Sequence, residues 1–156
     1  MKALKIALAV FLGALIAFAA FFWFSSSLKT EVQVVEVEAQ TQQEAFDSAR
    51  DLLLAGIAPE VFHEEIPESS NGYTLTDVNL TLKNAGSFEA EWITCEILPG
   101  DFDIALYSYT APQGDLAAGE ETVINMKFLS RAGEDSRTVT LQYYVFGLKR
   151  TLNISC

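Results

Sequence analysis

One histidine and two cysteines in 156 residues leave little with which to hold a metal. Zinc sites gather several His or Cys ligands. His63, in VFHEEI, has no second imidazole to join and reads as a solvated loop residue. No Gly-x-Ser-x-Gly elbow and no phosphate-cradling glycine loop occur. Ser26 and Lys29 stand at Ser-x-x-Lys spacing, but the companion Ser-Asp-Asn and Lys-Thr-Gly elements are missing. Asp101 and Asp103 offer fewer oxygens than a calcium loop needs and read as turn residues. The expectation is a non-enzymatic chain with no catalytic residue, no cofactor, no metal and no small-molecule substrate.

Basic residues are also scarce: 10 Lys+Arg against 21 Asp+Glu. Two of the ten, Lys2 and Lys5, precede a long apolar run, which leaves the remainder at about −13. That excludes nucleic acid and an anionic membrane surface as partners by attraction of charge.

What is present begins with that run. Residues 6–24, IALAVFLGALIAFAAFFWF, contain no charge. At helical rise they measure about 28 Å, near the thickness of a bilayer's hydrocarbon layer. The lysines before the run place the N-terminal side in the cytoplasm and the rest outside, and Trp23 suits the outer interface. A cleaved signal peptide is the competing reading, with Ser25 and Ser27 small enough for a cleavage site after Ser27. The length and bulky end of the run favour a retained anchor. Both readings export the same domain.

Residues 28–72 form a neck, a strand and an amphipathic helix. Residues 31–38, EVQVVEVE, nearly alternate, with a slip at Val35 that predicts a bulge. Thr41 and Glu44 have capping-box spacing, and Phe46, Ala49, Leu52 and Leu53 share one face of a helix over 42–55. A short strand is expected near 61–66.

From 73 to 156, six half-apolar strands follow one another with turn residues every 8 to 14 positions. Core-facing sets are Thr76, Val78, Leu80 and Leu82; Ile93, Cys95 and Ile97; Phe102, Ile104 and Leu106; Thr122, Ile124, Met126 and Phe128; Val139, Leu141, Tyr143 and Val145; Leu152, Ile154 and Cys156. The fold class is mainly β, an immunoglobulin-like antiparallel β-sandwich behind a transmembrane helix (residues 1–27) and one short amphipathic helix. A small barrel is the alternative.

Cys95 and Cys156 both take core-side parity, so a disulfide between them is conceivable in an oxidising compartment, with two buried free thiols as the alternative. Tyr107, Tyr109, Tyr144 and Phe146 take the opposite parity. They form either an exposed aromatic patch or the surface covered by the 42–55 helix; the second accounts for the helix's apolar face as well. Asn79 and Asn153 match the glycosylation pattern but sit mid-strand.

The stretches LTLKNAGSFEAEWITCEI, LAAGEETVINMKF and VTLQYYVFGLKRTLNI resemble the CARDB-like and LEA14-like exported β-sandwich modules of bacteria and archaea. The resemblance covers a little over half the chain. It implies an extracellular spacer, adhesion or assembly domain and transfers no catalytic residue. Expected partners are the membrane and either another envelope protein or a second copy. A surface-filament or envelope-scaffold subunit, of pilus or archaellum type, is the alternative by layout. A secreted hydrolase or metal-dependent enzyme ranks last.

Overall fold

The computed structural model describes residues 2–24, 27–133 and 136–156, with side chains inside the first helix described from Lys5 to Phe21. The cleavage reading at Ser25, the Ser26 half of the Ser-x-x-Lys match, the Trp23 side chain and the Glu134-Asp135 turn lie outside these.

Helix α1 spans Lys2–Phe24. Large apolar side chains stand exposed around its circumference, among them Leu8, Phe11, Leu15, Ile16 and Phe18. Over the described residues no helix is long and apolar enough to cross a membrane. The described side chains of α1 cover about 25 Å at helical rise, short of a hydrocarbon layer of about 30 Å.

Two antiparallel sheets follow. The larger has the order β1 (Leu28–Glu38), β3 (Tyr73–Asn84), β6 (Glu121–Arg131), β5 (Asp103–Thr110) and β2 (Glu60–Val61). The smaller has the order β4 (Glu91–Leu98), β7 (Thr138–Val145) and β8 (Leu148–Ser155). The six strands expected after residue 72 are all present. Segment 28–72 is more than a lead-in, because β1 pairs with β3 along its whole length, from Leu28 opposite Asn84 to Glu38 opposite Thr74.

That unbroken register removes the bulge expected at Val35. The slip has another cause. Val32 faces the core between the sheets, whereas Val37 faces the second core on the sheet's other side. One edge strand therefore serves two interiors, and its apolar residues change parity midway.

The first core joins Val78, Leu80, Leu82, Ile124, Met126 and Phe128 of the larger sheet to Ile93, Val139, Leu141, Tyr143 and Ile154 of the smaller. The second lies beneath helix α2 (Gln43–Leu54), where Phe46, Ala49 and Leu53 meet Leu75, Ile104, Ala105 and Leu129. The capping box at its start does not form. Gln42 is the N-cap residue, without a side-chain bond, and the Thr41 hydroxyl donates to the Glu38 carbonyl at 2.7 Å. A 3₁₀ turn at Ala39–Gln42 takes up Thr41 before the helix begins.

The Asn84-Ala85-Gly86 corner is tied to the turn at 116–120. Asn84 is 2% exposed. Its amide donates to the carbonyls of Phe88 and Leu116, each at 2.8 Å, and its Oδ1 accepts from the Gly86 N–H at 3.0 Å. This Asx turn needs no left-handed glycine, and Gly86 is not among the residues with positive φ.

Phe46→Ala should destabilise the domain by about 3–5 kcal/mol, since it empties a fully buried aromatic site. Val123→Ala, on an exposed face, should stay within about 0.5 kcal/mol. Guanidinium unfolding followed by circular dichroism checks both.

Candidate functional site

The four expected patch residues divide among three places. Tyr107 packs against the core beneath α2, as the covered-surface reading requires. Tyr109 instead turns into the core between the sheets. The reason is a bulge: β5 pairs with β6 through Leu106–Phe128 and then Ser108–Lys127, so Tyr107 is the extra residue and the parity of Tyr109 is reversed. Burial raises the pKa of both phenols, and the neighbouring Cys95 adds to the effect at Tyr109.

Tyr144 and Phe146 lie on the smaller sheet, out of reach of α2. They belong to an aromatic group at the end of the sandwich next to α1. Trp92 stands over Tyr144, with ring centroids 5.6 Å apart, and Phe88 meets Phe146 at 4.7 Å. Phe21 of α1 meets Phe88 edge-on at 6.4 Å. Phe18, Phe21, Phe88, Phe146 and Leu148 line an apolar hollow of about 450 Å³ between helix and domain.

Both exposed corners of this group hold unusual backbone. Trp92 has φ 52° and Phe146 has φ 51°, and no other described non-glycine residue has positive φ. Such a conformation costs of order 1–3 kcal/mol for a bulky residue. Phe146 and Gly147 form the two-residue turn between β7 and β8, where Val145 opposes Leu148. With φ positive at both positions the turn is type I′, which ordinarily takes Asn-Gly. Trp92 occupies a bulge between Glu91 and Thr94. Its N–H donates to an Asp115 carboxylate oxygen at 2.9 Å, and the next N–H, of Ile93, donates to the Gly114 carbonyl at 2.7 Å. Trp92 is 69% and Phe146 64% exposed. The strain thus holds two large apolar side chains out in solvent.

The two cysteines are free. Both face the core as parity required, but they do not bridge the sheets. They sit in one sheet, Cys95 on β4 and Cys156 just past β8, with β7 between them. Two strand spacings amount to about 10 Å, beyond the roughly 7 Å that a disulfide allows between Cα atoms. Burial pushes both thiols up. The Tyr109 hydroxyl partly offsets this at Cys95, and the Arg137 charge does so at Cys156.

The polar residues that do converge had no signal in the alternation. Asp103 reads as outward-facing, yet Asp103 is 0% and Arg137 1% exposed. Arg137 Nε donates to both carboxylate oxygens of Asp103, at 3.0 and 2.8 Å, and its Nη2 donates to Asp103 Oδ1 at 2.6 Å. The Ser130 hydroxyl donates to the same oxygen at 2.6 Å, and the Gly100 N–H donates to Oδ2 at 2.9 Å. The guanidinium also lies over the Phe128 ring, 4.8 Å from its centroid. Asp103, Ser130 and Arg137 are all buried, and Glu36, 3.7 Å from Arg137 Nη1, links the group to the surface. His63, by contrast, is exposed. Its neighbour Glu65 accepts from Arg131 and from the Tyr73 hydroxyl, and these bonds hold its carboxyl below the usual range.

No family model matches the chain. No curated protein matches it either. Among solved structures it is similar to a FixG-related protein from Vibrio parahaemolyticus, with a TM-score of 0.39 and 10% identity, over 81% of this chain and 92% of that one.

Asp103→Ala or Arg137→Ala should each cost about 3–5 kcal/mol, because either strands a buried charge. The pair Asp103→Leu with Arg137→Met should recover most of that loss in the same unfolding assay. Each thiol stays protonated to higher pH than an exposed one. Labelling with a thiol reagent at neutral pH should therefore be slower in the native chain than in denaturant, where two thiols react without prior reduction.

Proposed function

We propose that the chain is a non-enzymatic, single-pass envelope protein whose helix α1 anchors an acidic β-sandwich outside the membrane for interaction, assembly or structural support. One observation carries this reading: an apolar helix without a polar face runs, within a few residues, into β1 of the sandwich. The charge-free run of the sequence, residues 6–24, measures about 28 Å at helical rise, near the roughly 30 Å of a hydrocarbon layer. Lys2 and Lys5 orient it with the domain outside.

The division of strands supports an immunoglobulin-like sandwich. β1-β3-β6-β5 against β4-β7-β8 repeats the four-plus-three order of constant-type domains. The resemblance of LTLKNAG and LAAGEETVINMKF to CARDB-like and LEA14-like modules points to the same structural use. The burial of Asp103, Ser130 and Arg137, the best-organised polar cluster, favours a non-enzymatic role. A surface-filament subunit is the second reading, favoured by apolar side chains on every side of α1, which suit packing against copies of itself.

After alkaline washing, membranes from expressing cells should retain the full-length chain, and external protease should remove the domain from intact cells. A released, shortened soluble form would overturn the anchor. Electron microscopy of sheared surface material should find the protein in filaments only under the second reading.

A further inference from the structure

We propose that the α1-facing end of the sandwich is a second membrane contact, in which Trp92, Phe146 and Leu148, backed by Phe88, enter the interfacial layer of a lipid bilayer and hold the domain down against it. This rests on the reading of α1 as an anchor. The first argument is depth. The domain touches α1 through Phe88 on Phe21, and Phe18 and Phe21 line the hollow shared with Phe146 and Leu148. Phe18 and Phe21 precede the end of the helix at Phe24 by about 9 and about 5 Å at helical rise. A tip packed at that level on a spanning helix lies about 5–10 Å below the helix end, the depth of an interfacially bound apolar face.

The second argument is the strained backbone. A type I′ turn with phenylalanine in place of asparagine, and a bulge that turns a tryptophan outward, work against a soluble surface. Both present the side chains that favour the membrane–water interface. Two independent loops do this on the same end of the domain, one at Trp92 and one at Phe146.

Charge selects the kind of surface. Beside the tip, Lys149 and Glu91 each lie opposite Tyr144, Asp115 accepts the Trp92 N–H, and Lys83, opposite Lys29, lies 4.0 Å from Glu121, so both signs of charge are present. With the exported part near −13, attraction to anionic lipid does not drive the contact. Apolar insertion does, so it forms on zwitterionic bilayers and resists salt.

The test uses the full chain carrying Trp23→Phe, which leaves Trp92 as its single tryptophan, in phosphatidylcholine vesicles with brominated acyl chains. Trp92 emission should be quenched several-fold more by bromines near the headgroup than by bromines near the chain end, and shielded from aqueous iodide at low and high salt alike. Adding Phe146→Asn and Leu148→Thr should abolish the bromine quenching. The asparagine suits the turn, so thermal stability should not fall. Full iodide access with no bromine effect, in chains that still float with alkali-washed vesicles, would overturn the contact and leave the anchor standing. Shielding that depends on protein concentration without bromine quenching would assign the patch to a second copy and likewise overturn it. Failure to float would remove anchor and contact together.

Discussion

The bond between Asp103 and Arg137 is the constraint on which the sandwich is built. Asp103 lies on the larger sheet and Arg137 just before the first residue of β7 in the smaller. Their pairing therefore crosses the interior and sets how the two sheets meet. A charge taken this far from water persists only when its partner and its remaining hydrogen bonds are supplied. Ser130, the Gly100 N–H and the Phe128 ring supply them. The backbone of Arg137 also exchanges two hydrogen bonds with Cys156, so the strand past β7 is positioned by the same residue. The opposite end is closed by a neutral device, the Asn84 side chain, which joins the β3–β4 corner to the turn at 116–120.

Between these ties, the larger sheet is covered on both faces, by the smaller sheet and by α2. The parity of each strand then carries two messages. On β3, Val78, Leu80 and Leu82 face one core while Leu75 faces the other. On β5, two register shifts separate Asp103 from Ala105 and Leu106 from Ser108, and these decide which tyrosine is buried where. The same device on β4 lets Trp92 leave the sheet. Bulges thus convert a plain alternation into a domain with one acidic, solvated body and one aromatic end.

Much of this was legible in the residues themselves. Alternation over 73–84, 121–131 and 138–145 and the helical spacing of Phe46, Ala49 and Leu53 hold in the structure almost as written. Burial of one face is a local demand, met by residues two or three to four apart. Asp103 was not legible, because a carboxylate in an alternating strand carries no mark of a guanidinium 34 positions away. Nor was the fate of Tyr109, since a bulge changes parity without any special residue. Trp92 had no sequence signal as part of a surface group. Phe146 was legible through parity alone, opposite to that of Leu141, Tyr143 and Val145, with Gly147 marking the end of the run.

The sequence alone determined an apolar helical segment, an acidic body, strands of period two and an amphipathic helix with a face to bury, because each follows from the spacing of neighbours along the chain. Only the tertiary structure decided that the cysteines stand apart across β7, that Arg137 reaches Asp103 and Glu36 of the larger sheet, and that Trp92, Phe88 and Phe146 gather beside α1. Those outcomes depend on which strands lie side by side and on single-residue shifts of register. Both are settled by packing the whole sandwich at once.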